Sequence, residues 1–244
     1  MEKRSLSFSS STLKMIAMLS MLIDHTWIAL ISGNIWMNCL GRLAFPIFAF
    51  ELVEGYFHTH DVKAYAKRLF LFALISEIPF DLIAGGTIFY PFHQNVMFTL
   101  LLGLVSISAI DQAQTEPLAS QRMKYACYVT LSLLIALFGM VDYSIFGVFM
   151  ILVFYFTRQK PLSKVWQFIA MAFINCYLLA GQAIQLGSFA FPIQGFALLA
   201  LPLIWLYNGK QGIQSKAFRL FGYLFYPLHL GILAMLCFAG ISIG

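Results

Sequence analysis

The chain has 244 residues, of which 61% are hydrophobic and only 10% are charged, and its mean hydropathy is +0.83. Soluble globular domains carry about 25% charged residues, so this composition excludes a soluble domain and indicates a multi-pass membrane protein. The formal net charge of +5 does not indicate a nucleic-acid partner. The basic residues stand in clusters beside long apolar runs, as the positive-inside rule describes for cytoplasmic loops.

Nine apolar runs follow one another along the chain and predict an all-α polytopic bundle of about nine transmembrane helices. In order they cover residues 14–33, 36–57, 68–85, 95–111, 124–141, 143–157, 165–184, 189–207 and 218–240. The fourth to sixth runs are short and include a tight turn at 142–144. That part of the chain could instead form a re-entrant hairpin without changing the orientation of the other spans.

The distribution of basic residues predicts a cytoplasmic N-terminus. With that orientation, all but one of the 15 Lys and Arg residues lie on the cytoplasmic side, and Arg42 is the exception. The first apolar run is about 20 residues long and no small-residue cleavage pattern follows it, so we expect a retained signal anchor. Residues 1–244 are interpreted as a single transmembrane domain in the cytoplasmic (inner) membrane.

The first span carries Asp24 and His25 side by side near the middle of the bilayer. A charged acid at that depth costs about 2.5–3.5 kcal/mol, so the pair indicates a function. Lys14 precedes His25 by eleven residues, which returns to within about 20° of the same helix face about 16 Å away along the axis. Because an imidazole titrates near neutrality, His25 is suited to proton transfer.

The second and third spans add further ionisable residues at similar depth. Arg42 needs an acidic partner within the membrane, and Asp24 or Asp81 on adjacent helices match its depth better than Glu51 on its own helix. Glu77 and Asp81 are four residues apart and therefore share a helix face. The last span contributes one more ionisable residue at this depth, a histidine.

That histidine, His229, comes out at the depth of His25 and Glu77, whereas Glu51 and Glu54 lie towards the cytoplasm. These positions predict one polar cavity among the helices. The alternative is that the charged groups only hold the helices together.

A metal site is not predicted. The four cysteines are scattered without metal-ligand spacing, and they are interpreted as small core residues. His58 and His60 are two residues apart and point to different faces of a helix. His93 stands in an outer connection and is expected to face solvent.

Six sequence blocks resemble the TraX family, whose namesake acetylates the N-terminus of conjugative pilin. The resemblance is dense over residues 13–103 and thins afterwards to a helical pattern that ends with YPLH at 226–229. The blocks are LKMIAM with IDH (13–25), GRLAFPIFAF (41–50), EGY (54–56), YAKRL (65–69), ISEIPFD (75–81) and NVMFTL (95–100).

The TraX family is similar to the larger group of transmembrane acyltransferases, which carry acyl groups from cytoplasmic acyl-CoA to extracytoplasmic acceptors. Their first helix contains a basic residue, ten intervening residues and a histidine, matched here by Lys14 and His25. Many members have Arg at the first position, and Lys lacks the guanidinium group with which Arg binds a phosphate through two hydrogen bonds. The resemblance implies that acetyl-CoA is the donor, with its phosphates near Lys14, Lys63, Lys67 and Arg68.

The resemblance also implies roles for the intramembrane residues. His25 would be the general base, or would carry a covalent acetyl group, and Arg42 would stabilise the oxyanion or the acidic groups. Asp24, Glu77 or Asp81 would orient the imidazole. The predicted substrate cavity contains Glu51, Glu54, Asn95, Thr99, Tyr226 and His229.

The acceptor is not named by the sequence. The N-terminus of a pilin, a surface glycan and a small molecule with an amine or hydroxyl are equally compatible with an outward-opening cavity.

Two other functions remain open. A proton-coupled transporter or flippase would use His25, Glu77 and His229 as a proton relay, although the chain lacks the paired halves typical of such folds. A non-enzymatic assembly factor for surface appendages would not need these residues for chemistry.

Overall fold

The computed structural model describes residues 7–31 and 33–240. A π-helical turn (Ile174–Leu178), a β-hairpin and a 3-10 helix (Ile193–Leu199) interrupt the α-helices in the last third of these residues. The hairpin pairs β1 (Ala183–Leu186) with β2 (Phe189–Pro192) in antiparallel fashion. The α-helices are α1 (Ser10–Leu30), α2 (Ile35–Gly41), α3 (Ala44–His58), α4 (Val62–Ala84), α5 (Val96–Thr115), α6 (Ala119–Phe138), α7 (Ser144–Thr157), α8 (Ser163–Phe173), α9 (Ala200–Trp205) and α10 (Lys216–Phe238).

Four helical stretches of the described chain are long and apolar enough to cross a membrane, namely 10–30, 35–58, 96–115 and 216–238. Two shorter apolar stretches cover 144–157 and 193–205. A helix needs about 20 predominantly apolar residues to span the hydrocarbon layer, so the chain is a helical membrane protein. The number of nine spans and the cytoplasmic N-terminus stay predictions from the sequence.

The structure confirms the span predicted at 36–57 as the helical stretch 35–58, in which a turn at Arg42 and Leu43 separates α2 from α3. It corrects two other predicted spans. The spans predicted at 165–184 and 189–207 run into the β-hairpin, so residues 183–184 and 189–192 are not helical. Gly187 has a φ of +65°, which favours glycine and suits the tight turn. Pro192, which has no N–H to donate within a helix, immediately precedes the 3-10 helix.

Six helices form a closed ring in which each packs against two neighbours. Helix α1 packs on α3 and α10, α10 packs on α4, α4 packs on α5, and α7 packs on both α5 and α3. A Cβ atom on Gly103 of α5 would overlap the side chain of Ile151 on α7, so this glycine permits the close approach of the two helices. The ring places the first and last helices side by side.

The start of α1 is tied to the segment that leads into α10. Ser9 caps α1 by accepting a hydrogen bond from the Thr12 N–H at 3.3 Å. Backbone hydrogen bonds join the Ser10 N–H to Lys210 O at 2.9 Å and the Asn208 N–H to Phe8 O at 2.9 Å. The N-terminal ends of α1 and α10 therefore meet at one end of the bundle.

Candidate functional site

Asp24 and Arg42 form an ion pair between α1 and the end of α2. The Nη2 of Arg42 donates to both carboxylate oxygens of Asp24, at 3.0 and 3.1 Å. Asn38 donates to the same carboxylate at 2.7 Å. Of the two partners that the sequence favoured for Arg42, the structure shows Asp24, whereas the Asp81 carboxylate is engaged elsewhere.

A chain of amides extends this pair across the bundle. Arg42 donates to Gln194 of the 3-10 helix at 3.4 Å, and Gln194 donates to Asn175 of the π-helical turn at 2.9 Å. Gln194 is 8% exposed and Asn175 is fully buried. Buried polar groups need such partners because leaving one unpaired costs about 1–3 kcal/mol. These two amides were not predicted from the sequence, although an Asn or Gln inside an apolar run is the available signal.

The second residue of the pair, His25, faces α10, because consecutive residues of a helix point about 100° apart. Its Nδ1 lies 2.7 Å from Nε2 of His229, and Nδ1 of His229 lies 2.6 Å from the Phe225 carbonyl oxygen. His229 is 6% exposed, whereas His25 is only partly buried. The two histidines, for which the sequence predicted the same depth, are thus in direct contact.

On α10, Tyr226 lies beside both His25 and His229. Its ring centroid lies 6.0 Å from that of His25 and 5.7 Å from that of His229. Tyr226 is 4% exposed, so it forms a wall of the histidine site rather than the lining of an open cavity.

A cavity of about 650 Å³ opens at the end of the bundle where α1 and α10 begin. Its walls come from α1, α3, α4, α5 and α10 together with the segment before α10. The deepest lining residue on α1 is Met18, seven residues before His25 and therefore about 10 Å along the helix axis. The cavity thus points towards the histidines but ends short of them, with Tyr226 close to His25 beyond its inner end.

The cavity is lined by two acids, Glu51 and Glu54, and by several cations. Glu51, 4% exposed, accepts from Ser10 at 2.5 Å and lies 3.4 Å from the Lys14 ammonium. Glu54 accepts from Arg158 at 2.8 Å. Both lining acids therefore already have cationic partners.

Three further cations line the cavity, and among the described residues none of them forms an ion pair. They are Arg68 on α4 and Lys216 and Arg219 on α10. Of the predicted phosphate-binding residues, Lys14 and Arg68 line the cavity, and Lys63 and Lys67 do not. Lys216 and Arg219 were interpreted from sequence only as markers of topology.

Glu77 and Asp81 hold the connection that follows α4. Glu77 accepts a hydrogen bond from the Asn95 side chain, and Asp81 accepts from the Tyr90 N–H at 2.9 Å. Asn95 also caps α5 by accepting from the Met97 N–H at 3.0 Å. Neither carboxylate hydrogen-bonds His25 within the described chain, where the hydrogen-bond partner of the His25 ring is His229.

The remaining predicted cavity residue, Thr99, also serves this region by donating to the Asp142 carbonyl. Asn95, Thr99, Tyr226 and His229 do not line the cavity, whereas Glu51 and Glu54 do.

His93 is half-buried against Asp142, not free in solvent. Its Nε2 lies 3.5 Å from the Asp142 carboxylate. The hydrogen bond and charge of Asp142 outweigh partial burial and raise the pKa of His93 above its usual value. The pair thereby joins the α4–α5 connection to the start of α7.

Metal-binding geometry is not found in the described part of the chain, where no three His, Cys, Asp or Glu side chains converge. The cysteines there are unpaired, and Cys39 is buried while Cys127 and Cys237 are exposed.

Comparison with known proteins gives one family and one relative. The model of the family described as TraX protein matches residues 9–237. A probable fimbrial assembly protein FimC, serogroup H1, of Dichelobacter nodosus is 31% identical over 247 residues, covering 94% of this chain and 96% of that protein. No solved structure is significantly similar.

Proposed function

The chain belongs to the TraX family, and from that premise we propose that it is a membrane-embedded acetyltransferase of the cytoplasmic membrane. Acetyl-CoA enters from the cytoplasm, and the acetyl group passes to an amine or hydroxyl on the other side. The observation that carries the proposal is the cation-lined cavity beside α1, with His25 farther along the same helix.

The cavity charges support a phosphate-bearing donor. Arg68, Lys216 and Arg219 line it without acidic partners among the described residues, and unpaired guanidinium and ammonium groups are the usual phosphate ligands. Lys14 is shared with Glu51 and contributes less free charge. The proposal therefore assigns the nucleotide phosphates to α4 and α10 as well as to α1.

The distance also supports an extended donor. Lys14 and His25 lie eleven residues apart on α1, about 16 Å along its axis. An arm extending from phosphates at the mouth would pass Met18 and reach the histidines once Tyr226 or its neighbours move aside.

The transfer step uses the imidazole as a proton carrier. The nitrogen of a neutral amine attacks the thioester carbonyl carbon, a C–N bond forms and the C–S bond breaks. The amine proton passes to Nε2 of His25 and then to the departing thiolate of CoA. The products are the acetylated amine and free CoA, and a hydroxyl acceptor would react in the same way.

The relative supports a particular acceptor. Its name describes fimbrial assembly, and the TraX namesake acts on a pilin. We propose that the acceptor is the free α-amino group of a fimbrial subunit. In this scheme, Arg42 holds Asp24 and thereby fixes the rotation of α1 that points His25 to α10.

Donor binding can be tested without an acceptor. Detergent-purified protein is melted with acetyl-CoA, butyryl-CoA, free CoA or ATP. A ligand specific to the folded state adds about 2.7 kcal/mol at 100 times its Kd, so stabilisation by acetyl-CoA is expected. Arg219→Ala should weaken the shift, whereas Lys63→Ala, which removes a cation outside the cavity, should not.

Absence of a shift with every CoA species, in protein that melts cooperatively, would contradict the proposal. Proton-flux measurement in vesicles would then test the transporter that uses the same histidines.

Catalysis is tested with radiolabelled acetyl-CoA and a short peptide that has a free N-terminus. Transfer is expected for the natural chain and not for the N-terminally blocked peptide. His25→Ala should abolish transfer, whereas His60→Ala, at an exposed site outside the cavity, should retain it.

A further inference from the structure

We propose that His229 is the positioning residue for the catalytic base, because its contact with His25 fixes which nitrogen of His25 is free to accept a proton. This inference rests on the proposed function, since it names the residue that prepares His25 for transfer. It begins from the two short hydrogen bonds that join His25, His229 and Phe225.

The first bond sets the tautomer of His229. The Phe225 carbonyl oxygen can only accept a hydrogen bond, so the Nδ1 of His229 that lies 2.6 Å away must carry a hydrogen and donate it. In a neutral imidazole the other ring nitrogen then has no hydrogen and is an acceptor. His229 therefore offers a lone pair at Nε2.

The second bond transmits that choice to His25. Because Nε2 of His229 is an acceptor, the Nδ1 of His25 at 2.7 Å is the donor, and the lone pair of His25 is left on Nε2. Among the described residues, this Nε2 has no hydrogen-bond partner, and it is not enclosed as other unpartnered polar atoms are. The free base is thus Nε2 of His25.

The ring geometry favours this bond. The planes of His25 and His229 differ by 7° and the ring centroids are 5.0 Å apart. With a nitrogen–nitrogen distance of 2.7 Å, this separation is reached only when the rings lie end to end in nearly one plane. The lone pair of His229 then points along the N–H of His25, which is the preferred alignment.

The packing around His229 restricts its rotation. The centroid of the Phe225 ring lies 4.8 Å from that of His229, with the two rings nearly parallel. The centroid of the Tyr226 ring lies 5.7 Å from that of His229, with the rings steeply inclined. A neutral histidine also orients the base without the cost that a carboxylate would carry at this depth. The acid in the first span, Asp24, is instead neutralised by Arg42.

Glutamine and asparagine at position 229 separate the two hydrogen bonds. A glutamine places its terminal amide near the position of Nε2 and can still accept from His25. An asparagine reaches only the position of Nδ1 and leaves His25 without an acceptor. Phenylalanine keeps the ring volume and removes both bonds.

Acetyl transfer to the peptide is therefore expected to fall about 10²–10³-fold in kcat for His229→Asn and His229→Phe, since loss of an orienting partner acts on the proton-transfer step. The KM for acetyl-CoA should change less than about threefold, because the cavity is untouched. His229→Gln should recover most of the rate. Full activity in His229→Asn, or equal loss in all three variants at unchanged melting temperature, would overturn the inference.

Nitrogen-15 NMR of histidine-labelled protein measures the tautomer without any substrate. His25 is expected to show a protonated Nδ1 and a bare Nε2 in the natural chain, with its signals assigned through His25→Ala. The opposite tautomer would refute the inference even if acetyl transfer occurs. Lack of transfer by the natural chain would instead refute the proposed function, whatever the spectrum shows.

Discussion

Replacement of Gly41 by alanine tests whether the close contact of α1 and α2 holds Asp24 in place. A Cβ atom on Gly41 would overlap Cβ, Cγ and Oδ1 of the Asp24 side chain. The atoms next to the Asp24 backbone cannot swing away, so α2 must move back from α1. That movement lengthens the hydrogen bonds from Asn38 and Arg42 to the carboxylate.

The expected loss has two parts. Inserting a methyl group into a packed contact costs about 1–3 kcal/mol. The side chains of Asp24 and Arg42 are only 14% and 21% exposed, and weakening hydrogen bonds between charged groups adds roughly 1–2 kcal/mol. The higher helix propensity of alanine returns up to about 1 kcal/mol. The free energy of unfolding should therefore fall by about 1–5 kcal/mol.

Unfolding in mixed micelles with increasing SDS, followed by circular dichroism, measures this loss. Gly231→Ala is the matched control, because a Cβ there meets no atom within 4 Å; it should be neutral or stabilise α10 by up to about 1 kcal/mol. Unfolding of Gly41→Ala at the same SDS fraction as the natural chain would refute the reasoning. Acetyl transfer should fall with it, because α1 carries His25.

Three further outcomes are expected. Asp24→Asn should lower the free energy of unfolding by about 2–4 kcal/mol in the SDS titration, because it leaves Arg42 without its counter-ion; Asp61→Asn, which keeps the cap on Ala64, should not, and equal curves for both would contradict this. The raised pKa of His93 means that its pair with Asp142 stabilises fully below about pH 6.5 and that this contribution is lost as the pH rises through the raised pKa. Because both groups are partly exposed, the change in the free energy of unfolding should stay under about 1 kcal/mol. Melting across pH 5–9 should show a weaker pH dependence for His93→Gln than for the natural chain. Tyr56→Phe removes the hydrogen bond to Asp111 at 2.8 Å and should lower the free energy of unfolding by about 1 kcal/mol. Tyr125→Phe is the control for the same change of side chain. An unchanged melting temperature in Tyr56→Phe would count against the hydrogen bond to Asp111.

The ion pair of Asp24 and Arg42 could be anticipated from sequence, because a buried charge needs an opposite charge nearby and depth restricts the choice of partner. The same reasoning failed for Glu77 and Asp81. The partner of Glu77 is the Asn95 side chain and the partner of Asp81 is the Tyr90 N–H, and both belong to a connection whose path no helical period describes. An estimate of depth in the membrane can match residues on different helices, but it does not predict contacts with a loop that folds back against them.

The contact of His25 with His229 was anticipated only as a shared depth. Apolar runs do not reveal which helices are neighbours, and the placement of α10 between α1 and α4 decides the contact. The predicted third span began at residue 68, whereas α4 begins at Val62. Lys63 and Lys67 were therefore assigned to a loop, and the helix face that excludes them from the cavity could not be foreseen.

The ring of helices is closed by its first and last members, and this has a consequence for synthesis. His25 and His229 are separated by 204 positions, so a chain emerging from the ribosome carries the proposed base long before the residue proposed to orient it. Until α10 inserts beside α1, the cavity also lacks the wall that bears Lys216 and Arg219. Under the proposed function, a partly inserted chain therefore has neither a complete donor site nor an oriented base, and the capacity to consume acetyl-CoA would arise only once α10 has inserted.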